Sequence, residues 1–131
     1  MKAILICGGL IDYQFSYEIS SNECFILDKY SSKLFATMTE KRAFAASLIT
    51  NENSLWVTGG AIINENSLWV TRDGGEDIFL SSTEYITKNG DTVRGPELPL
   101  ALAGHTVIGI SSTLSMLIGG TSDGQNAIDL T

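Results

Sequence analysis

Apolar residues fall along this chain in short runs rather than at helical spacing. The runs are AILIC (Ala3 to Cys7), CFIL (Cys24 to Leu27), AASLI (Ala45 to Ile49), SLWV (Ser54 to Val57, and again Ser67 to Val70), TEYI (Thr83 to Ile86), HTVIGI (His105 to Ile110) and LSMLI (Leu114 to Ile118). Each is bounded by Gly, Asn, Asp or Ser, and together they are rich in β-branched and aromatic residues. Many short strands separated by turn formers predict an all-β fold. Pro96 and Pro99 bracket a connecting segment, because proline has no amide hydrogen to give to an interior ladder.

The strands repeat. An apolar strand ending in Gly-Gly occurs at Gly8-Gly9, Gly59-Gly60 and Gly119-Gly120, at intervals of 51 and 60 residues. The longer interval holds a local duplication: NENSLWVT at Asn51 to Thr58 returns at Asn64 to Thr71, 13 residues on. Without those 13 residues the period is close to fifty, the length of a four-stranded sheet with its turns. Other positions keep phase. Cys24 to Asp28 lines up with Thr83 to Thr87, Leu34 with Val93, Thr37 to Glu40 with Glu97 to Leu100, and Ala43 to Ala46 with Ala103 to Thr106. A glycine pair behind a strand permits positive φ and close backbone approach between packed sheets. A small four-stranded sheet cannot bury both faces alone, so it must stack on neighbours.

This layout resembles the Kelch repeat, in which an apolar strand ending in Gly-Gly leads to a Tyr-ending strand, then a Trp-bearing strand. A Met-Pro-like segment then enters the next unit. The stretches LDKYSSKLFATMTEKRAFAASLITNENSLWVTGG and STEYITKNGDTVRGPELPLALAGHTVIGISSTLSMLIGG follow that order. The family's Tyr is Leu27 or Ile86 here and its Trp is Leu34 or Val93. Arg42 matches the family's Arg, while Leu102 replaces it in the other repeat. The resemblance implies an all-β, partial Kelch-type β-propeller of four-stranded antiparallel blades. Residues 1–36 would form a half blade, 37–94 a blade containing the duplication and 95–131 a partial blade, about two and a half repeats in an incomplete ring. One copy of NENSLWVT should fill the regular second strand, and the other should add surplus strands or bulge out as a duplicated hairpin.

Composition narrows the function. The chain has 131 residues, 44% of them hydrophobic, with 8 Lys and Arg against 15 Asp and Glu. The net charge of −7 and the lack of a basic stripe argue against nucleic acid. No run approaches the roughly twenty apolar residues of a membrane helix. The start, MKAILICGG, imitates a signal peptide, but its apolar run is too short for one, which favours a cytoplasmic location. Cys7 and Cys24 form no disulfide framework and no CxxC zinc pair, so buried free thiols are expected.

Catalytic chemistry has few candidates. His105 is the sole histidine and stands behind Gly104, where a structural role outweighs a general base or zinc ligand. TRDGGEDIF, with Asp73-Gly74-Gly75, partly matches an Asp-box turn of sialidase-like propellers, and TSDGQ (Thr121 to Gln125) lacks the needed glycine. Glu65 in its Asn-rich turn needs no cation, and Trp56 and Trp69 read as core residues. No residue is assigned a catalytic, cofactor-binding or metal-binding role. The expectation is a non-catalytic protein–protein interaction module with a protein partner, able to self-associate through open blade faces. The alternatives are a fragment of a sialidase-like or galactose-oxidase-like enzyme, or a truncated product without independent function.

Overall fold

The computed structural model describes residues 4–13, 17–50, 53–63 and 78–122. Among these residues there are thirteen strands and no helix. A first sheet has the order β1-β4-β5, built from β1 (Ile4–Cys7), β4 (Glu23–Leu27) and β5 (Ser32–Thr37). A hairpin of β2 (Leu10–Tyr13) and β3 (Tyr17–Ser20) fills the connection from β1 to β4. A second, four-stranded sheet has the order β11-β10-β7-β6, from β6 (Ala46–Ile49), β7 (Leu55–Thr58), β10 (Thr83–Ile86) and β11 (Thr92–Arg94). The short pair β8 (Ala61–Ile62) and β9 (Ile78–Phe79) occupies its β7–β10 connection, as β2 and β3 do in the first sheet. The hairpin of β12 (Thr106–Gly109) and β13 (Ser115–Ile118) follows. All pairings are antiparallel, and no sheet closes into a barrel among the described residues.

The core lies where the first two sheets meet. Cys24, Ala36, Met38, Val57 and Ile86 are buried there, with Leu5, Phe35 and Leu55 packed at the margin. A smaller cluster of Ala43, Ala61, Ile63 and Ala103 sits under the connections. The sequence period reappears as a repeated set of backbone bonds. Gly8 N donates to Glu23 O as Gly59 N does to Ser82 O, and Gly9 N to Arg42 O as Gly60 N does to Leu102 O. Met38 N donates to Asn22 O as Leu98 N does to Ser81 O. Isolated bridges join Ala43 to Ala61 and Ala103 to Thr121. The first glycine of each pair is required by this arrangement. Gly8 (φ +73°) and Gly59 (φ +59°) take left-handed backbone, and a Cβ on either would strike the carbonyl oxygen of Arg42 or Leu102.

Three expectations meet the structure differently. The cysteines are not free thiols: Cys7 and Cys24 form a disulfide. The β1–β4 register sets them directly opposite, with Cα atoms 4.0 Å apart, and paired residues point to the same face of a sheet. The phase of Leu34 with Val93 is also corrected by one residue. Four residues turn β4 into β5, whereas five turn β10 into β11, so Leu34 stands opposite Phe25 but Val93 opposite Tyr85. In the shorter turn the Asp28 carboxylate accepts from Tyr30 N at 2.8 Å and Ser31 N at 2.9 Å. These two backbone bonds hold its carboxyl below the usual range. The first NENSLWVT copy supplies β7 in its regular place. The second copy, and with it the surplus hairpin, lies outside the described residues.

Candidate interaction surfaces

Two polar clusters join the sheets, and both are used up by structure. Arg42 enters the second sheet from the connection after β5 and is fully buried. Its Nε and Nη2 donate to Glu84 Oε2 at 3.1 and 3.0 Å, Nη1 donates to the carbonyls of Gly59 and Ser82 at 2.8 Å each, and Nη2 also donates to Ser82 Oγ at 3.0 Å. Glu84 in turn accepts Thr39 N at 2.7 Å and Glu40 N at 3.0 Å. The carboxylate therefore ties the connecting segment to β10, and neither charge is left to act on a ligand.

His105 lies just before β12, against the second sheet. Its Nε2 is 2.7 Å from Thr58 Oγ1, and that hydroxyl donates to Ala46 O at 3.3 Å. Nδ1 has no partner among the described residues. Burial holds the imidazole below its ordinary pKa of 6.5, so the neutral form is favoured. The structural reading of His105 is what this geometry supports. No three His, Cys, Asp or Glu side chains converge to hold a metal ion among the described residues.

Trp56 is half-buried and stacks on Tyr85, with ring centroids 6.1 Å apart. The pair lines an open cleft of about 590 Å³ between the second sheet and the β12–β13 hairpin, bounded by Leu48, Pro96 and the Ser111–Thr113 turn. Tyr85 shares a face with Trp56 through the β7–β10 register. Trp69, Glu65 and Asp73-Gly74-Gly75 lie outside the described residues, as does TSDGQ beyond Ser122.

The outermost faces are apolar. Ile4, Ile6, Phe25 and Leu34 share one face of the first sheet, since Ile6 pairs with Phe25 and Phe25 with Leu34. All four are exposed. On the hairpin, Ile108 pairs with Met116, and Ile110, Leu114 and Ile118 follow the same alternation, again exposed. Exposed contiguous apolar rows mark surfaces that bind other surfaces.

No family model matches the sequence, and no curated protein matches it. The fold does have a counterpart. A structure of YjhT aligns with a TM-score of 0.60 and 18% identity, over 89% of this chain and 34% of YjhT. This chain thus spans about a third of YjhT, and at that identity the likeness is one of fold alone.

Proposed function

We propose that the chain is part of a Kelch-type β-propeller that serves as a non-catalytic protein-binding module. The first and second sheets and the β12–β13 hairpin are then successive blades, stacked through the Gly-Gly segments. The repeated backbone bonds at both junctions support that stacking, because the same donors and acceptors recur at equivalent positions. The observation that carries the binding role is the pair of exposed apolar rows on otherwise regular sheets. Each row costs solubility unless another surface covers it. The polar groups that a hydrolase or oxidase would need are engaged elsewhere: Arg42 with Glu84, and His105 with Thr58.

A photo-crosslinking amino acid at Leu34 of the full chain, expressed in cells, tests the proposal, with the exposed Lys88 as control position. A discrete protein adduct at position 34 and none at 88 is expected. No adduct, or the same adducts at both positions, overturns it.

A further inference from the structure

We infer that Asn89 is a site of spontaneous deamidation, gated by the packing of the β10–β11 turn on the first sheet. Of the chain's seven asparagines, only Asn89 precedes a glycine; the others precede Glu, Ser or Ala. The reaction needs the main-chain nitrogen of the following residue to reach the asparagine Cγ, and only glycine brings no Cβ into that approach. Asn89 is exposed in the turn between β10 and β11, and its carboxamide makes no hydrogen bond among the described residues. Asn22, by contrast, donates through Nδ2 to Met38 O at 3.3 Å.

The same turn holds the attacking nitrogen back. Gly90 N donates to Thr87 O at 2.9 Å, Thr87 N donates to Asp91 O at 2.8 Å, and Asp91 N donates to Thr87 Oγ1 at 3.1 Å. Gly90 has the left-handed φ of +87° that closes such a turn. It also lies so close to β5 that a Cβ on it would stand 2.7 Å from Phe35 O. The bond to Thr87 must open before Gly90 N can turn toward Cγ, and the contact with Phe35 leaves little room for that movement. The rate is therefore set by local opening of the seam between β5 and the turn.

The reaction balances with water and hydroxide alone. Gly90 N gives its proton to hydroxide and bonds to Asn89 Cγ; the Cγ–Nδ2 bond breaks, and Nδ2 leaves as ammonia after taking a proton from water. Water then opens the five-membered imide. Attack at Cγ gives aspartate at position 89. Attack at the main-chain carbonyl carbon of residue 89 gives isoaspartate, in which the chain runs through Cβ and Cγ. The first product keeps the backbone and adds a negative charge. The second also adds a methylene to the main chain beside a glycine that has no space to spare, so it loosens the turn from Phe35.

The test incubates the full chain in mildly alkaline buffer, natively and in unfolding urea, and follows each asparagine by peptide mass spectrometry. Position 89 should gain one mass unit in the native chain, about tenfold or more slowly than in urea, while Asn22 and Asn53 stay unchanged. Asn89→Gln should give none of the product, because its longer side chain cannot close the five-membered ring. Equal rates in buffer and in urea overturn the gating. A native chain that stays unconverted while the unfolded one converts fully, or that converts as fast at Asn22 or Asn53, overturns the site. The isoaspartyl form, purified from aged native chain, should show a lower urea midpoint than the Asn89→Asp variant, which carries the same charge on an ordinary backbone. Equal midpoints overturn the claim that the added methylene loosens the turn.

Discussion

Arg42→Leu is the most discriminating stability test, because the following repeat already carries a leucine, Leu102, at the equivalent position. Leu102 is fully buried and its carbonyl accepts Gly60 N as that of Arg42 accepts Gly9 N. If shape alone mattered, the substitution would be nearly neutral. The bonds around Arg42 say otherwise. Its removal leaves the Glu84 carboxylate buried against two backbone amides with no counter-charge, and leaves the Gly59 carbonyl without its donor, while the Ser82 carbonyl keeps only Gly59 N. Losing one member of a buried ion pair costs about 3–5 kcal/mol. Glu84→Ala should cost a similar amount for the converse reason, and it also frees the Thr39 and Glu40 amides. The double variant Arg42→Leu/Glu84→Ala should not return to the parent value, since three backbone groups (Gly59 O, Thr39 N and Glu40 N) then lack partners at about 1–3 kcal/mol for each one that water cannot reach. It should still fall well short of the sum of the singles, giving a coupling of about 2–3 kcal/mol. Urea unfolding followed by tryptophan fluorescence reads this directly. With a slope of about 2 kcal/mol per molar urea, each single variant lowers the midpoint by about 2 M. Single effects below about 1 kcal/mol, or strictly additive ones, would refute the reasoning and reduce the pair to a surface contact.

Other outcomes follow from the same structure. His105 has its folded-state pKa depressed by burial, so its stability contribution is complete above the unfolded value near 6.5 and is lost as pH falls through the folded value. The urea midpoint should therefore drop from about pH 7 to about pH 5, and His105→Gln should flatten that slope; an unchanged slope would exclude His105 as its source. Alkylation without reductant should label neither Cys7 nor Cys24, and reduction should lower stability by about 3 kcal/mol for a loop of 17 residues; two labelled thiols in the native protein would contradict the disulfide. Gly59→Ala should destabilise by clearly more than Gly104→Ala. Both positions have positive φ, but only at Gly59 would a Cβ meet the Leu102 carbonyl and the His105 ring. Equal losses in urea unfolding would mean that conformation, not close approach, explains the glycine.

How far the sequence discloses this arrangement depends on what each element needs. Strands and glycine pairs are visible because turn formers and apolar runs are local signals. The disulfide is not local. It requires the register of β1 on β4, although placing Cys24 in phase with Thr83 already implies it, because Thr83 pairs with the Thr58 that precedes Gly59 just as Cys7 precedes Gly8. Leu34 and Val93 are misaligned for a simpler reason: a turn one residue longer moves a side chain to the other face of its sheet. Glu84 is hidden because Thr83, Glu84 and Ile86 are all buried, so β10 has covered faces on both sides and no alternation to read. Arg42 could be matched to the family's arginine, but nothing along the chain names its partner 42 residues away.

The two junctions show how the same glycine pairs serve different side-chain sets. At the first, an arginine and a carboxylate bridge the sheets; at the second, a leucine fills the arginine's place and a histidine meets a threonine. The side chains differ in charge, size and polarity, yet the backbone bonds from Gly8, Gly9, Gly59 and Gly60 are the same at both. The stacking is thus specified by main-chain donors and acceptors at fixed separation, and those bonds demand only that no Cβ intervene. Any side-chain set that fills the space and pairs its own polar atoms is compatible with them. A repeat built this way can change its side chains and keep its fold. It also leaves the end faces free to vary, and the exposed Ile6, Phe25, Met116 and Ile118 are apolar where nothing in the described fold requires it. Solubility alone would favour polar residues there, which is the physical ground on which we propose that another surface covers them.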